Sequence, residues 1–147
     1  MIMDRITIRS AKVSDYSRCL PLLTSLYHGD IGADFRKTFE SYIMGDDNMV
    51  LLARSREGIV GILIGSYRVD IDWEGKTAGI DAIVVSEKHR RTGIGEQLVN
   101  RFVNLAQREG CKAVKSRVNK KNGEAQRFHE SLGFFRADAY EYTLDLL

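Results

Sequence analysis

Two glycines one residue apart, preceded by two arginines and a threonine, make up the stretch Arg90-Arg91-Thr92-Gly93-Ile94-Gly95. It follows the apolar run Ile80-Asp81-Ala82-Ile83-Val84-Val85 and opens a helical pattern from Glu96 to Arg108. Where a strand gives way to a helix, glycine tolerates positive φ and lets the turn aim several backbone N–H groups at one anion. The helix behind it adds its unpaired N–H groups and the positive end of its dipole. The chemistry this supports is capture of a phosphate or pyrophosphate. For the hexapeptide alone, an ordinary turn with a solvated arginine pair is the competing reading. Two other phosphate loops are excluded. A Walker A loop needs Lys-Ser/Thr after its last glycine, where this chain has Glu96-Gln97, and a dinucleotide fingerprint needs a third glycine where Leu98 stands.

Other residues carry chemistry less specifically. Asp81 precedes Ile83 by two positions on the strand that feeds the glycine turn, so simple alternation puts both on one side of the pleat. His129 follows Phe128 in a short helical stretch. His28 and His89 read as loop residues, and no set of His, Cys and carboxylate has metal-ligand spacing, so no metal is expected. Asp30, Asp34, Asp46 and Asp47 either attract a cation or are solvated loop acids. Cys19 and Cys111 are far apart and read as buried apolar residues in a reducing compartment.

The elements that position these groups follow from periodicity. Arg5 to Ser10 alternate as a short strand, and Ser14 or Asp15 can cap the helix carrying Leu20, Leu23, Leu26 and Tyr27. Pro21 predicts a kink or a late start for that helix. Phe35, Phe39, Tyr42 and Ile43 outline a second helix ending near Gly45. Met49–Arg54 and Ile59–Val69 form a hairpin around Arg56-Glu57-Gly58. Gly61 and Gly65 share one face of its second strand, leaving room for close packing. Thr77–Val85 is the strand before the glycine turn, and its helix presents Leu98, Phe102, Leu105 and Ala106 as one stripe before Gly110 ends it. Ala113–Val118 is a further strand, then a short helix through Ala125, Phe128 and Leu132 closes at Gly133. Phe134–Ala137 and Tyr140–Leu146 read as two last strands. The expectation is a mixed α/β (α+β) fold. It has a largely antiparallel sheet of about seven strands, four flanking helices, and one parallel crossover from the Val85 strand to the Ala113 strand.

Length and charge narrow the function classes. The 147 residues show no compositional break and predict one domain over 1–147. A net charge of +2, with acids and bases interspersed, gives no basic face of the kind nucleic-acid binders carry. The N-terminal Met-Ile-Met-Asp-Arg lacks the apolar core of a leader, and no apolar run approaches ~18 residues. A soluble, cytoplasmic protein without nucleic-acid or membrane partners is expected.

The element order, with Arg90-x-x-Gly93-x-Gly95 after the fourth strand and Asn122-x-x-Ala125-x-x-Phe128 before Leu132-Gly133-Phe134, resembles the GCN5-related N-acetyltransferase (GNAT) superfamily. The likeness spans nearly the whole chain, and its specific part lies between Ile80 and Phe134. The resemblance implies an acetyl-CoA-dependent N-acetyltransferase whose co-substrate lies where the fourth and fifth strands splay apart. The pyrophosphate would rest on Arg90, Arg91, Thr92, Gly93, Ile94, Gly95 and Glu96, and the pantetheine along Ile83-Val84-Val85. The Ile83 N–H would polarise the thioester carbonyl. Asn122 would hydrogen-bond the pantetheine, with Ala125 and Phe128 in the same motif. Asn122 also reads as the N-cap of its helix, and the two roles can coexist.

Family members generally transfer acetyl directly from thioester to amine. An amine with a pKa of ~10.4 is neutral in only about one molecule in 2,500 at pH 7, so a base is the demanding role. Asp81 takes that role through a water, where many relatives carry Glu, or else it only positions the substrate. His129 departs from the family, in which a tyrosine commonly follows this aromatic and protonates the leaving thiolate. His129 either donates that proton itself or is a polar helix residue, with Tyr140 and Tyr142 as substitutes. The acceptor is an amine of a small molecule or a protein, entering past the two early helices and the last hairpin. A CoA-binding sensor or partner-binding module without catalysis is the alternative. Homodimers are common in the family, and the sequence leaves that point open.

Overall fold

The computed structural model describes residues 5–147; residues 1–4, which begin the segment read above for a leader, lie outside the described residues. The chain forms a larger compact unit that runs to Arg117 and a smaller one from Val118 to Leu147. In the larger unit the order is β1 (Thr7–Ser10), α1 (Tyr16–Leu26), α2 (Phe35–Met44), β2 (Asn48–Ser55), β3 (Gly58–Asp70), β4 (Gly75–Val85), α3 (Ile94–Arg108) and β5 (Val114–Ser116). The five strands lie in chain order in one sheet, antiparallel except for the parallel β4–β5 pair. That parallel pair is the expected crossover.

Alternation along β2 and β3 sorts the core into two layers. Val50, Leu52, Ile62, Ile64 and Val84 face α1 and α2, where Cys19, Leu22, Leu23 and Phe39 are buried against them. The other face takes α3, whose Leu98, Phe102 and Ala106 are buried. Gly61 and Gly65 lie on that second face. A Cβ on Gly61 would stand 3.1 Å from Leu98 Cδ1, and one on Gly65 only 2.5 Å from Phe102 Cε1. The room that the glycine pair predicts is filled by α3. Helix α1 runs from Tyr16 through Pro21 to Leu26, so of the two outcomes expected of Pro21 the late start does not occur. Asp15, at its N-terminus, makes no capping bond to it. Its carboxylate instead accepts from Arg9 Nη1 and Nη2 and from the Lys12 N–H.

The smaller unit contains α4 (Gly123–Ser131), closed by Gly133 at φ 91° with the Phe134 N–H bonded back to His129 O at 3.1 Å. The two strands expected over Phe134–Ala137 and Tyr140–Leu146 are not formed, so the sheet has five strands and not about seven. A period-two pattern specifies which face of a segment is apolar, but a strand exists only when an edge pairs with it. Among the described residues no edge pairs with these segments, and Tyr140, Tyr142, Leu144 and Leu146 are left 80%, 92%, 83% and 89% exposed.

Candidate active site

Strand β4 is shared between two partners only over part of its length. Toward β5 it pairs at Ala78, Gly79 and Ile80, and from Asp81 onward that edge has no strand beside it among the described residues. The Ser86 N–H donates to Val60 O of β3 at 2.8 Å. Backbone groups alternate between the two edges of a strand, so those of Ile83 and Val85 face the open edge. Arg90 Nε donates to Val85 O at 3.2 Å. Val84 turns its backbone toward β3 and its side chain into the core.

A bulge interrupts β4 beside this edge. Ile64 pairs with Ala82 and Gly65 with Ile80, which leaves Asp81 as an extra residue. Simple alternation places Asp81 on the same side as Ile83, and the structure overturns this. Ile83 opposes Leu63, while Asp81 shares the α1–α2 face with Ala82 and Ile64. There Asp81 Oδ2 accepts a hydrogen bond from Tyr42 Oη at 2.8 Å. Burial, followed by the bond to Asp81, pushes the Tyr42 phenol up to about 12, so it remains a donor across the working range of pH. The pair lies at a cavity of about 190 Å³ walled by Tyr27, Phe35 and Tyr42, with Ile64 and Ala82 on the sheet side. Tyr42 was legible only as part of a helical apolar stripe. A tyrosine in such a stripe still has a hydroxyl that needs a partner, and that was the available signal.

The turn after β4 has the backbone that an anion nest requires. Arg91 and Gly93 are both left-handed, at φ 62° and 86°. The first helical bond of α3 runs from the Gln97 N–H to Gly93 O, so the amides of Ile94, Gly95 and Glu96 precede the helical ladder. Thr92 Oγ1 donates to His89 O, and His89 Nε2 lies 3.1 Å from Glu57 in the β2–β3 turn. These contacts hold the turn from both sides. Left-handed residues followed by unpaired amides at a helix N-terminus suit a pyrophosphate.

The remaining predicted residues belong to the smaller unit. Asn122 caps α4, its Oδ1 accepting the Ala125 N–H at 3.0 Å. His129 is buried, its Nδ1–H directed at Ala125 O at 2.7 Å, with the Phe128 and Phe134 rings edge-on to it at 5.4 and 5.3 Å. Among the described residues no cluster of three His, Cys, Asp or Glu is placed to hold a metal ion, and no helix is long and apolar enough to cross a membrane.

Residues 16–134 match the acetyltransferase (GNAT) family. The chain belongs to that family. Its members use acetyl-CoA as co-substrate. This GNAT chain is similar in fold to the aminoglycoside N-acetyltransferase AAC(6')-Iy in complex with CoA, at TM-score 0.89 and 18% identity over 99% of this chain and 98% of that one. It is similar to the aminoglycoside 6'-N-acetyltransferase AAC(6')-Ih from Acinetobacter baumannii, at 0.85 and 22% over 97% and 99%. It is also similar to a ribosomal-protein-alanine N-acetyltransferase from Brucella melitensis biovar Abortus 2308, at 0.79 and 19% over 97% and 99%. Among curated proteins no sequence match is found.

Proposed function

We propose that this GNAT chain is an acetyl-CoA-dependent N-acetyltransferase that moves acetyl directly from the thioester to an amine of a small molecule or a protein. The observation that carries the reading is the open edge of β4, which runs into the left-handed turn at Arg91 and Gly93 and has Asp81 bulged beside an aromatic cavity. The amides from Arg91 to Glu96 would hold the pyrophosphate, and the backbone of Ile83 and Val85 the pantetheine. Asn122, Ala125 and Phe128 complete the cofactor set in this reading. The bound thioester supplies an activated acetyl group.

The chain's own groups then divide the work. The Ile83 N–H, fixed in the strand, donates to the carbonyl oxygen as negative charge grows on it, which favours the transition state over the ground state. Asp81 accepts a proton from the ammonium, directly or through a water, which frees the nitrogen lone pair; that pair forms the C–N bond, the C–S bond breaks, and CoA leaves as the thiolate. A thiol of pKa ~8.5 leaves readily as the anion, so the step needs no dedicated acid, and His129 contributes packing in this reading. Two free cysteines without a disulfide framework support a reducing, cytoplasmic setting.

Calorimetry with CoA and acetyl-CoA, followed by CoA-thiol release against an amine panel, tests the proposal. Binding with turnover is expected, and no uptake of either nucleotide at millimolar levels by folded protein removes the donor and the function with it. Asp81→Asn should lower turnover by about 10²-fold or more, most at low pH, as loss of a general base does. An unchanged pH–rate profile would take Asp81 out of that role. The second reading, a CoA-binding module without catalysis, is favoured by His129 in place of tyrosine, and tight CoA binding with no turnover on any amine would establish it.

A further inference from the structure

The cavity beside Asp81 says more about the acceptor than its being an amine. Asp81 is the one charged residue that lines it, and Tyr42 occupies Oδ2 of that carboxylate. One face of the carboxylate is therefore left for a single cation. The walls are rings: Tyr27 and Phe35 meet edge to face at 5.4 Å, and Tyr42 stands on the same side. Such faces attract an ammonium and pack against a flat apolar body. The volume of about 190 Å³ lies below the usual range of small-molecule pockets, about 300–1,000 Å³. An apolar cavity of about 150 Å³ admits one benzene. The space beside Asp81 thus accommodates one ring and a short amine-bearing arm. A second ammonium, or the hydroxyls of an aminosugar, would be desolvated here with few polar partners.

Resting on the transferase reading above, we infer that the acceptor is a compact monoamine on a single ring or a similarly sized apolar body, and that Tyr42 is the positioning residue that orients Asp81 toward its ammonium. The test is calorimetric binding of 2-phenylethylamine, 2-phenylethanol, spermidine and an aminoglycoside to the protein with and without CoA. The expected order places 2-phenylethylamine first, at least tenfold tighter than the other three. Tyr42→Phe keeps the ring, should leave CoA affinity and melting temperature unchanged, and should weaken 2-phenylethylamine about tenfold. In an Asp81→Asn background the same change should have almost no further effect, a non-additivity that a merely structural role would not produce. Tighter binding of spermidine, the aminoglycoside or the neutral alcohol overturns the inference, as does full additivity of the two substitutions. CoA binding with turnover of those other amines would overturn it while leaving the transferase reading intact. Loss of CoA binding in the parent protein would instead strike the reading on which it rests.

Discussion

Asp15 and Asp81 carry the same functional group in opposite settings. Asp15 is buried and holds two bonds from Arg9 and one from the Lys12 N–H, and the Arg9 guanidinium is the main reason its carboxyl is pulled down to about 2. Its contribution to stability is therefore complete above the ordinary carboxylate range, about pH 4, and is lost as pH falls toward 2. Asp15→Asn should cost about 2 kcal/mol in urea unfolding at pH 7, with the difference from the parent shrinking between pH 4 and 2. Asp81 is exposed and accepts a bond from Tyr42 at one oxygen, which leaves the carboxylate available for chemistry. For His129, the contacts to Ala125, Phe128 and Phe134 imply that His129→Ala lowers melting temperature while changing turnover less than about threefold, well short of a general acid's usual contribution. Asp81 could be picked out of the sequence because it precedes the glycine turn on a strand. Its aim could not, because alternation assumes an unbroken ladder and the bulge is set by pairing with β3. Tyr42 stayed hidden for a related reason, its partner being 39 residues away in sequence.

At the scale of elements, two glycines hold the turn and α3 in place by different physics. Gly65 is needed for space, since a Cβ would lie 2.5 Å from Phe102, whereas Gly93 has nothing within 4 Å of that position and is needed for its φ of 86°. Gly65→Ala should therefore cost about 1–3 kcal/mol of stability by pushing α3 off the sheet. Gly93→Ala should cost about 1–2 kcal/mol and weaken CoA binding, with Gly93→Asn recovering part of both because asparagine tolerates the left-handed region. Equal loss of CoA affinity in the Ala and Asn variants would count against the backbone explanation. These elements were readable because each rests on local signals: glycine spacing, a continuous apolar strand and an amphipathic stripe. The last two strands were not, since a strand's existence depends on an edge that pairs with it. Pro21 did not delay α1, because tertiary packing of Cys19, Leu22 and Leu23 carries the helix through it.

The whole molecule combines a five-stranded sheet, open along half of one inner strand, with a chain end that keeps its apolar face in water. The open edge links stability to mass action. Acetyl-CoA at a hundred times its dissociation constant should stabilise the protein by about 2.7 kcal/mol. Thermal scans over a range of acetyl-CoA concentrations check this, and a flat response would contradict the proposed co-substrate. The family and the order of elements were legible at this scale from two motifs in their contexts.

The extra residue in β4 has a consequence of its own. The carboxylate reaches the aromatic chamber through a count, one more residue on β4 than on the strand beside it, and not through a flexible loop. Loss of the Ile80 codon would restore strict phase by setting Asp81 opposite Gly65, and would send the acid to the side that α3 covers, with composition and length almost untouched. The aim of this carboxylate is thus written in arithmetic that a substitution scan would never sample.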